Sequence, residues 1–157
     1  MDLQIGRVLQ ALQTNRLSDN TIVIFTSDNG GERFSDTWPF TSRKTELLEG
    51  GLRIPAIITW PARLPQGRTT EQVGITMDWL PTLLAAAGLS PDPSSPTDGI
   101  NLLPLLNAST SPVPRKLFWR YKANGQLVVR DGDFKFLKIL DNTFFSTLPM
   151  IRWSART

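Results

Sequence analysis

The residues of this chain best suited to chemistry fall close together in sequence. Asp28 and Asn29 lie in the run Thr26-Ser27-Asp28-Asn29-Gly30-Gly31, followed by Lys44 and then by Glu49-Gly50-Gly51. Asp28 and Asn29 offer hard oxygen donors of the kind that hold calcium or magnesium. Lys44 offers a compact positive charge for an anionic group. Glycines on both sides let the backbone turn sharply. An Asx turn at a strand end uses the same residue types as a metal site, and by residue type alone Lys44 reads more readily as a solvated surface lysine than as an anion clamp. The residues alone leave both readings open.

These residues need elements to position them. The run Thr21-Ile22-Val23-Ile24-Phe25-Thr26 is β-branched and almost wholly apolar, the pattern of a strand buried on both faces. In open α/β sheets, ligands bind beyond the carboxyl ends of strands, which is where Asp28 and Asn29 stand. Leu3, Ile5, Val8, Leu9 and Leu12 recur at helical spacing and predict a helix over 2–15. A helix feeding such a strand is half of a βαβ unit, so the class is α/β, and the strand's parallel neighbours are expected mostly earlier in the chain.

Residues 27–53 read as a long functional loop, and Trp38-Pro39-Phe40 within it as an apolar wall for the organic part of a substrate or as core. Arg43 reads as a structural or peripheral anion contact, and Glu49 and Arg53 as loop stabilisers. A strand over 55–60 is stopped by Pro61, and 73–76 is a candidate short strand. Asp78 is placed to cap a helix running through Ala87, with Pro81 in its first turn and Gly88 at its end. Residues 88–115 are rich in Pro, Ser and Asp around the apolar patch Leu102–Leu106. Three strands follow, over 116–121, 126–130 and 134–140. They are parted by Asn124-Gly125 and Asp131-Gly132-Asp133, strong hairpin signals, and predict a small antiparallel subdomain with Trp119 and Tyr121 in its core.

At 157 residues, 40% apolar and with five Trp, the chain can form one packed domain. Its net charge of +3 is spread without a basic stripe, so no nucleic-acid partner is expected. It has no Cys, which excludes a disulfide framework and a thiolate metal site. Its first residues lack the pattern of a signal peptide, and no apolar run approaches the ~20 residues of a membrane span, so no membrane partner is expected. Compartment and oligomeric state stay open.

The segments D-N-T-I-V-I-F-T-S-D-N-G-G, K-T-E-L-L-E-G-G-L-R-I-P and I-T-W-P, between Asp19 and Pro61, resemble the later catalytic motifs of the sulfatases. Asp78-Trp79-Leu80-Pro81-Thr82-Leu83-Leu84, Ala87-Gly88, Asp98-Gly99, Leu102-Leu103-Pro104-Leu105-Leu106 and Arg130-Asp131-Gly132-Asp133-Phe134-Lys135 continue the resemblance in the family's order, over roughly residues 2–145. The resemblance implies part of an alkaline-phosphatase-like α/β sandwich with a small C-terminal antiparallel sheet. Residues 1–88 would be the distal part of the catalytic domain, 89–115 a linker and 116–145 the subdomain.

It also implies hydrolysis of sulfate esters. Asp28 and Asn29 would be metal ligands, the cation calcium, and Lys44 the group that contacts the substrate sulfate; the partner would be a sulfated small molecule or carbohydrate. Family members use a formylglycine made from a Cys/Ser-x-Pro-x-Arg motif, with histidines nearby. This chain contains neither a Cys nor a His, and Thr59-Trp60-Pro61-Ala62-Arg63 copies the spacing without a convertible residue. The resemblance is therefore to the C-terminal portion of a sulfatase, inactive alone. A non-catalytic anion-binding module and a phosphate or phosphonate monoester hydrolase fragment are the alternatives. Residues 146–157 depart from the acidic ending usual in the family, and codons permitted there can spell that ending in a shifted frame. An aberrant, frameshifted tail is the hypothesis, which gene sequencing would test.

Overall fold

The computed structural model describes residues 1–108 and 110–148, and these form two compact units. The first comprises Met1–Thr26 and Pro55–Val113; the second comprises Ser27–Ile54 and residues 114–148. The divergent residues 149–157, and with them most of the proposed aberrant tail, lie outside the described residues.

The first unit opens with helix α1 (Asp2–Thr14), as the periodicity predicts. Asn15 ends it: its side-chain amide donates to the Ala11 carbonyl at 2.8 Å, and Arg16 turns into the left-handed region at φ 57°. Ile5 and Leu12 are half-buried, whereas Leu3, Val8 and Leu9 are exposed. Strand β1 (Val23–Thr26) pairs antiparallel with β2 (Ala56–Thr59), Val23 opposite Thr59 and Thr26 opposite Ala56. Within this chain the neighbour of β1 is thus antiparallel, and the expected burial on both faces is not reached. The pair stands as a two-stranded sheet, its faces are only partly covered, and Phe25 is 43% exposed. An apolar β-branched run specifies a strand but not its partner. The Trp60 indole N–H donates to the Asn20 side-chain oxygen at 3.1 Å and the Ala62 amide to the Asp19 carbonyl at 2.8 Å, tying the end of β2 to the turn before β1.

After β2, residues 73–76 form no strand. Here the backbone of Ile75 gives its amide to the Asp78 carboxylate at 2.8 Å instead of to a neighbouring strand. A short 3-10 turn (Thr76–Asp78) leads into α3 (Trp79–Ala86), which ends at Gly88 with φ 74°. Asp78 makes no side-chain capping bond to α3, contrary to the expected helix cap. Its second oxygen accepts from the Ile100 amide at 2.9 Å, so this fully buried carboxylate joins two loops. Thr82 Oγ1 accepts from the Leu102 amide at 2.9 Å, and α4 (Leu103–Leu106) buries Leu105 beside Leu102.

The second unit contains the sheet β3 (Lys116–Tyr121), β4 (Gln126–Asp131), β5 (Phe134–Ile139) and β6 (Asn142–Thr147), a meander in chain order. The two predicted hairpins are present, with Gly125 and Gly132 both at φ 57°. A fourth strand, β6, adds to the three expected, and Ser146 and Thr147 belong to it, opposite Lys135 and Phe134. Alternation carries Leu117, Trp119, Tyr121, Gln126, Val128, Leu137 and Ile139 inward, and Val128 and Leu137 form the core with Leu47. Trp119 and Tyr121 pack against that core, as predicted.

Candidate functional site

Asp28, Asn29, Lys44 and the Glu49-Gly50-Gly51 run all lie in one segment of the second unit, Ser27–Ile54. That segment has almost no regular structure: α2 (Glu49–Leu52) is a single turn. Its shape comes from backbone bonds between its own strands of chain. The Gly30 amide donates to the Gly51 carbonyl, the Lys44 amide to the Gly31 carbonyl and the Gly50 amide to the Thr41 carbonyl, each at 2.8 Å. Asp28-Asn29 and Lys44 are thus drawn to adjacent strands of one loop, fifteen or so residues apart in sequence.

The glycines are required by this closeness. A Cβ on Gly30 would fall on the Gly50 carbonyl oxygen, one on Gly50 on the Ser42 carbonyl oxygen, and one on Gly51 on the Glu46 carbonyl oxygen. Since the obstructing atoms are backbone, no side-chain rotation relieves the overlap. Ser42 and Thr45, flanking Lys44, hold φ at 86° and 76°, a region that costs a non-glycine residue ~1–3 kcal/mol and persists only where the surroundings impose it.

Asp28 is exposed and Asn29 half-buried. The Ser27 hydroxyl donates to the Asn29 carbonyl at 2.9 Å and reaches Asp28 Oδ1 at 3.5 Å, so the turn is braced by Ser27. A carboxylate and an amide oxygen on successive residues suit a hard cation as two members of a ligand set that normally numbers six or more. No group of three acidic, His or Cys side chains gathers to hold a metal among the described residues. Lys44 Nζ lies 3.7 Å from Glu32 Oε2, with the two side chains 45% and 63% exposed. An ion pair so exposed is worth ~0–1 kcal/mol, so the ammonium can leave Glu32 for another anion at little cost.

Around the loop, Arg43 is exposed, while Arg53 lies over the Phe40 ring at 5.0 Å and 3.9 Å from Glu49. Phe40 therefore packs on Arg53, and Trp38 beside it is exposed. Glu49 does more than brace its own turn. Its Oε1 accepts from Lys135 Nζ of β5 at 2.8 Å, and the Lys135 side chain is only 4% exposed. Arg130, opposite Lys135 in the sheet, is half-buried, and its Nε donates to the Gly132 carbonyl at 2.9 Å. Burial lowers the Arg130 pKa from its ordinary value, Glu49 opposes that shift, Arg53 adds to it and Asp133 opposes it. Gln126 is a further anchor: its side-chain oxygen accepts from the Leu47 amide at 2.8 Å and its nitrogen donates to the Thr45 carbonyl at 3.2 Å.

Sequence reasoning did not single out Lys135 or Gln126 as parts of this loop's support. The signal was present in the alternation: both are polar residues on the inward parity of their strands, where a polar group must find a partner.

The architecture to which these units belong is the alkaline-phosphatase-like α/β fold, shared with several solved structures. The chain matches i-CgsB bound to k-i-k-neocarrahexaose at 28% identity and TM-score 0.81, over 92% of this chain and 34% of that one. It matches a protein solved with its substrate D-glucosamine-2-N,6-O-disulfate at 26% identity and TM-score 0.73, over 93% and 31%. A phosphonate monoester hydrolase from Silicibacter pomeroyi, at 23% identity and TM-score 0.70 over 92% of this chain and 31% of that one, shares the fold.

Residues 1–89 match the family model Sulfatase, and the chain belongs to the sulfatase family. It is 38% identical to N-acetylgalactosamine-6-sulfatase of Canis lupus familiaris over 86% of this chain. It is 34% identical to human arylsulfatase A, again over 86%. The chain spans about a quarter of the length of these curated relatives, 27% and 28%.

Proposed function

We propose that this chain is the cation- and sulfate-holding portion of a sulfatase that hydrolyses sulfate esters of carbohydrates. The observation that carries the reading is the bond from the Lys44 amide to the Gly31 carbonyl, two residues past the Asp-Asn pair, inside a segment that matches the sulfatases. In this reading the Asp28 carboxylate and the Asn29 side-chain oxygen hold a divalent cation, calcium, together with ligands from outside this chain. When bound, that ion supplies positive charge against the sulfate oxygens. Lys44 Nζ releases Glu32 and pairs with the sulfate, stabilising the charge that gathers on its oxygens and on the leaving oxygen. The relatives solved with a carrageenan-type hexaose and with a disulfated glucosamine support a carbohydrate as the organic part.

The chain has no Cys or His to serve as formylglycine precursor or acid–base group, so turnover by the isolated chain is expected to be negligible. Purified protein titrated with sodium sulfate in calcium buffer should bind saturably, and Lys44→Ala should weaken binding at least ten-fold, about 1.4 kcal/mol. Equal binding by Lys44→Ala would remove the lysine from the site. Hydrolysis of an aryl sulfate ester by pure wild-type protein, lost in Lys44→Ala, would overturn the expected inactivity.

A further inference from the structure

Lys135 is a charged side chain that the catalytic reading does not use, yet it is almost wholly buried, on the inward parity of β5 between the half-buried Arg130 and the strand end. A buried ammonium is retained only when paired and hydrogen-bonded. Its partner, Glu49 Oε1 at 2.8 Å, is the first residue of α2, and the next two residues are Gly50 and Gly51. Gly51 accepts from the Gly30 amide, Gly50 donates to Thr41, and Gly31 accepts from the Lys44 amide. The loop's other ties to the sheet, through Gln126, reach Thr45 and Leu47, between Lys44 and Glu49, and leave the Gly50-Gly51 turn beyond them to the Glu49 tie.

We propose that Lys135 is a positioning residue: by pinning Glu49 to the sheet it fixes the Gly50-Gly51 turn, and through it the register of Asp28-Asn29 against Lys44. The inference rests on the proposed sulfate site for its consequence, but the tether itself is independent of any ligand. Without the ammonium, Glu49 is left with Arg53 at 3.9 Å, four residues on in its own turn, and α2 loses this tie to the sheet. Lys135 touches no substrate atom in this scheme; it acts only through the loop backbone.

The test is amide hydrogen exchange by NMR on the full chain, with sodium sulfate as the probe ligand. In Lys135→Met, which keeps the length of the apolar stem, the Gly30 and Lys44 amides should exchange at least ten-fold faster. The amides of Val128 and Leu137 should keep their protection, and sulfate affinity should fall at least ten-fold although Lys44 is intact. Unchanged exchange at Gly30 and Lys44, or an equal loss of protection in the sheet, would overturn the proposal, the latter by making Lys135 a general stabiliser. If Lys135→Met does not fold, Glu49→Gln decides. It keeps an acceptor for Lys135 but removes the charge, and should speed exchange at Gly30 and Lys44 about two- to five-fold with none at Val128; no change there overturns the tether. A wild-type chain that binds no sulfate, with exchange changing as stated, would sink the sulfate site and leave the tether standing.

Discussion

The two units of this chain each bury charge, and they satisfy it in different ways. In the first, the fully buried Asp78 carboxylate accepts the backbone amides of Ile75 and Ile100, at 2.8 and 2.9 Å. In the second, Lys135 is buried against Glu49 at 2.8 Å, and Arg53 stands 3.9 Å from the same carboxylate. A carboxylate bonded to fixed amides on two loops is a rigid joint with no stake in an incoming ligand. A carboxylate held by the side-chain cations Lys135 and Arg53 is instead a joint between side chains, in the same loop that carries Lys44. On the proposed function, the first unit serves as support and the second meets the anionic group, although Asp78 and Glu49 are both carboxylates within family-like motifs.

The comparison can be broken first at the glycines. Gly50→Ala places a Cβ on backbone carbonyls of Thr41 and Ser42, and should destabilise the loop by about 3 kcal/mol or more, read as loss of protection at Gly30 and Lys44 by hydrogen exchange. Little change would mean the loop can open without cost, and the register of Asp28 to Lys44 would lose its basis. Asp78→Ala orphans two buried amides and should cost about 2–3 kcal/mol by chemical denaturation, yet leave sulfate binding by the folded protein unaltered. Altered sulfate affinity there would erase the division of labour between the units.

The smallest effect is expected at Asp92, an exposed carboxylate of the first unit that accepts from the amide and hydroxyl of Ser94, each at 2.8 Å. The Ser94 amide bond, then its hydroxyl bond, holds the Asp92 pKa below the ordinary value, and slight desolvation opposes this. A depressed carboxylate stabilises the fold above its unfolded pKa, ~3.9, and that contribution fades as pH falls through the folded value. An NMR titration should therefore find Asp92 titrating below a reference aspartate, and Ser94→Ala should return it upward.

Much of this was legible in the residues. The helix over 2–15, the strands over 21–26 and 55–60, and the two hairpins appear within a residue or two at most ends, because periodicity and Asn-Gly or Asp-Gly turns act locally. The pairing of β1 with β2 was not legible, since an apolar run is silent about its neighbour. Strand β6 escaped because its residues are exposed along their whole length, and no buried parity marks them. At the site, Asp28, Asn29 and Lys44 stand out by type and motif, and their shared loop follows from the glycines. Lys135, about ninety residues beyond Lys44, could be suspected only from a cation on an inward parity.

On the proposed function, Asp28-Asn29 and Lys44 form one site in which a divalent cation and a sulfate stabilise each other. Coupled binding must be reciprocal, so one calorimetric series decides it: sodium sulfate titrated into the wild-type chain and Asp28→Ala, with and without calcium. Calcium should tighten sulfate at least five-fold in the wild type, about 1 kcal/mol of coupling, and the gain should vanish in Asp28→Ala. Sulfate affinity indifferent to calcium, or a calcium effect that survives Asp28→Ala, would contradict it.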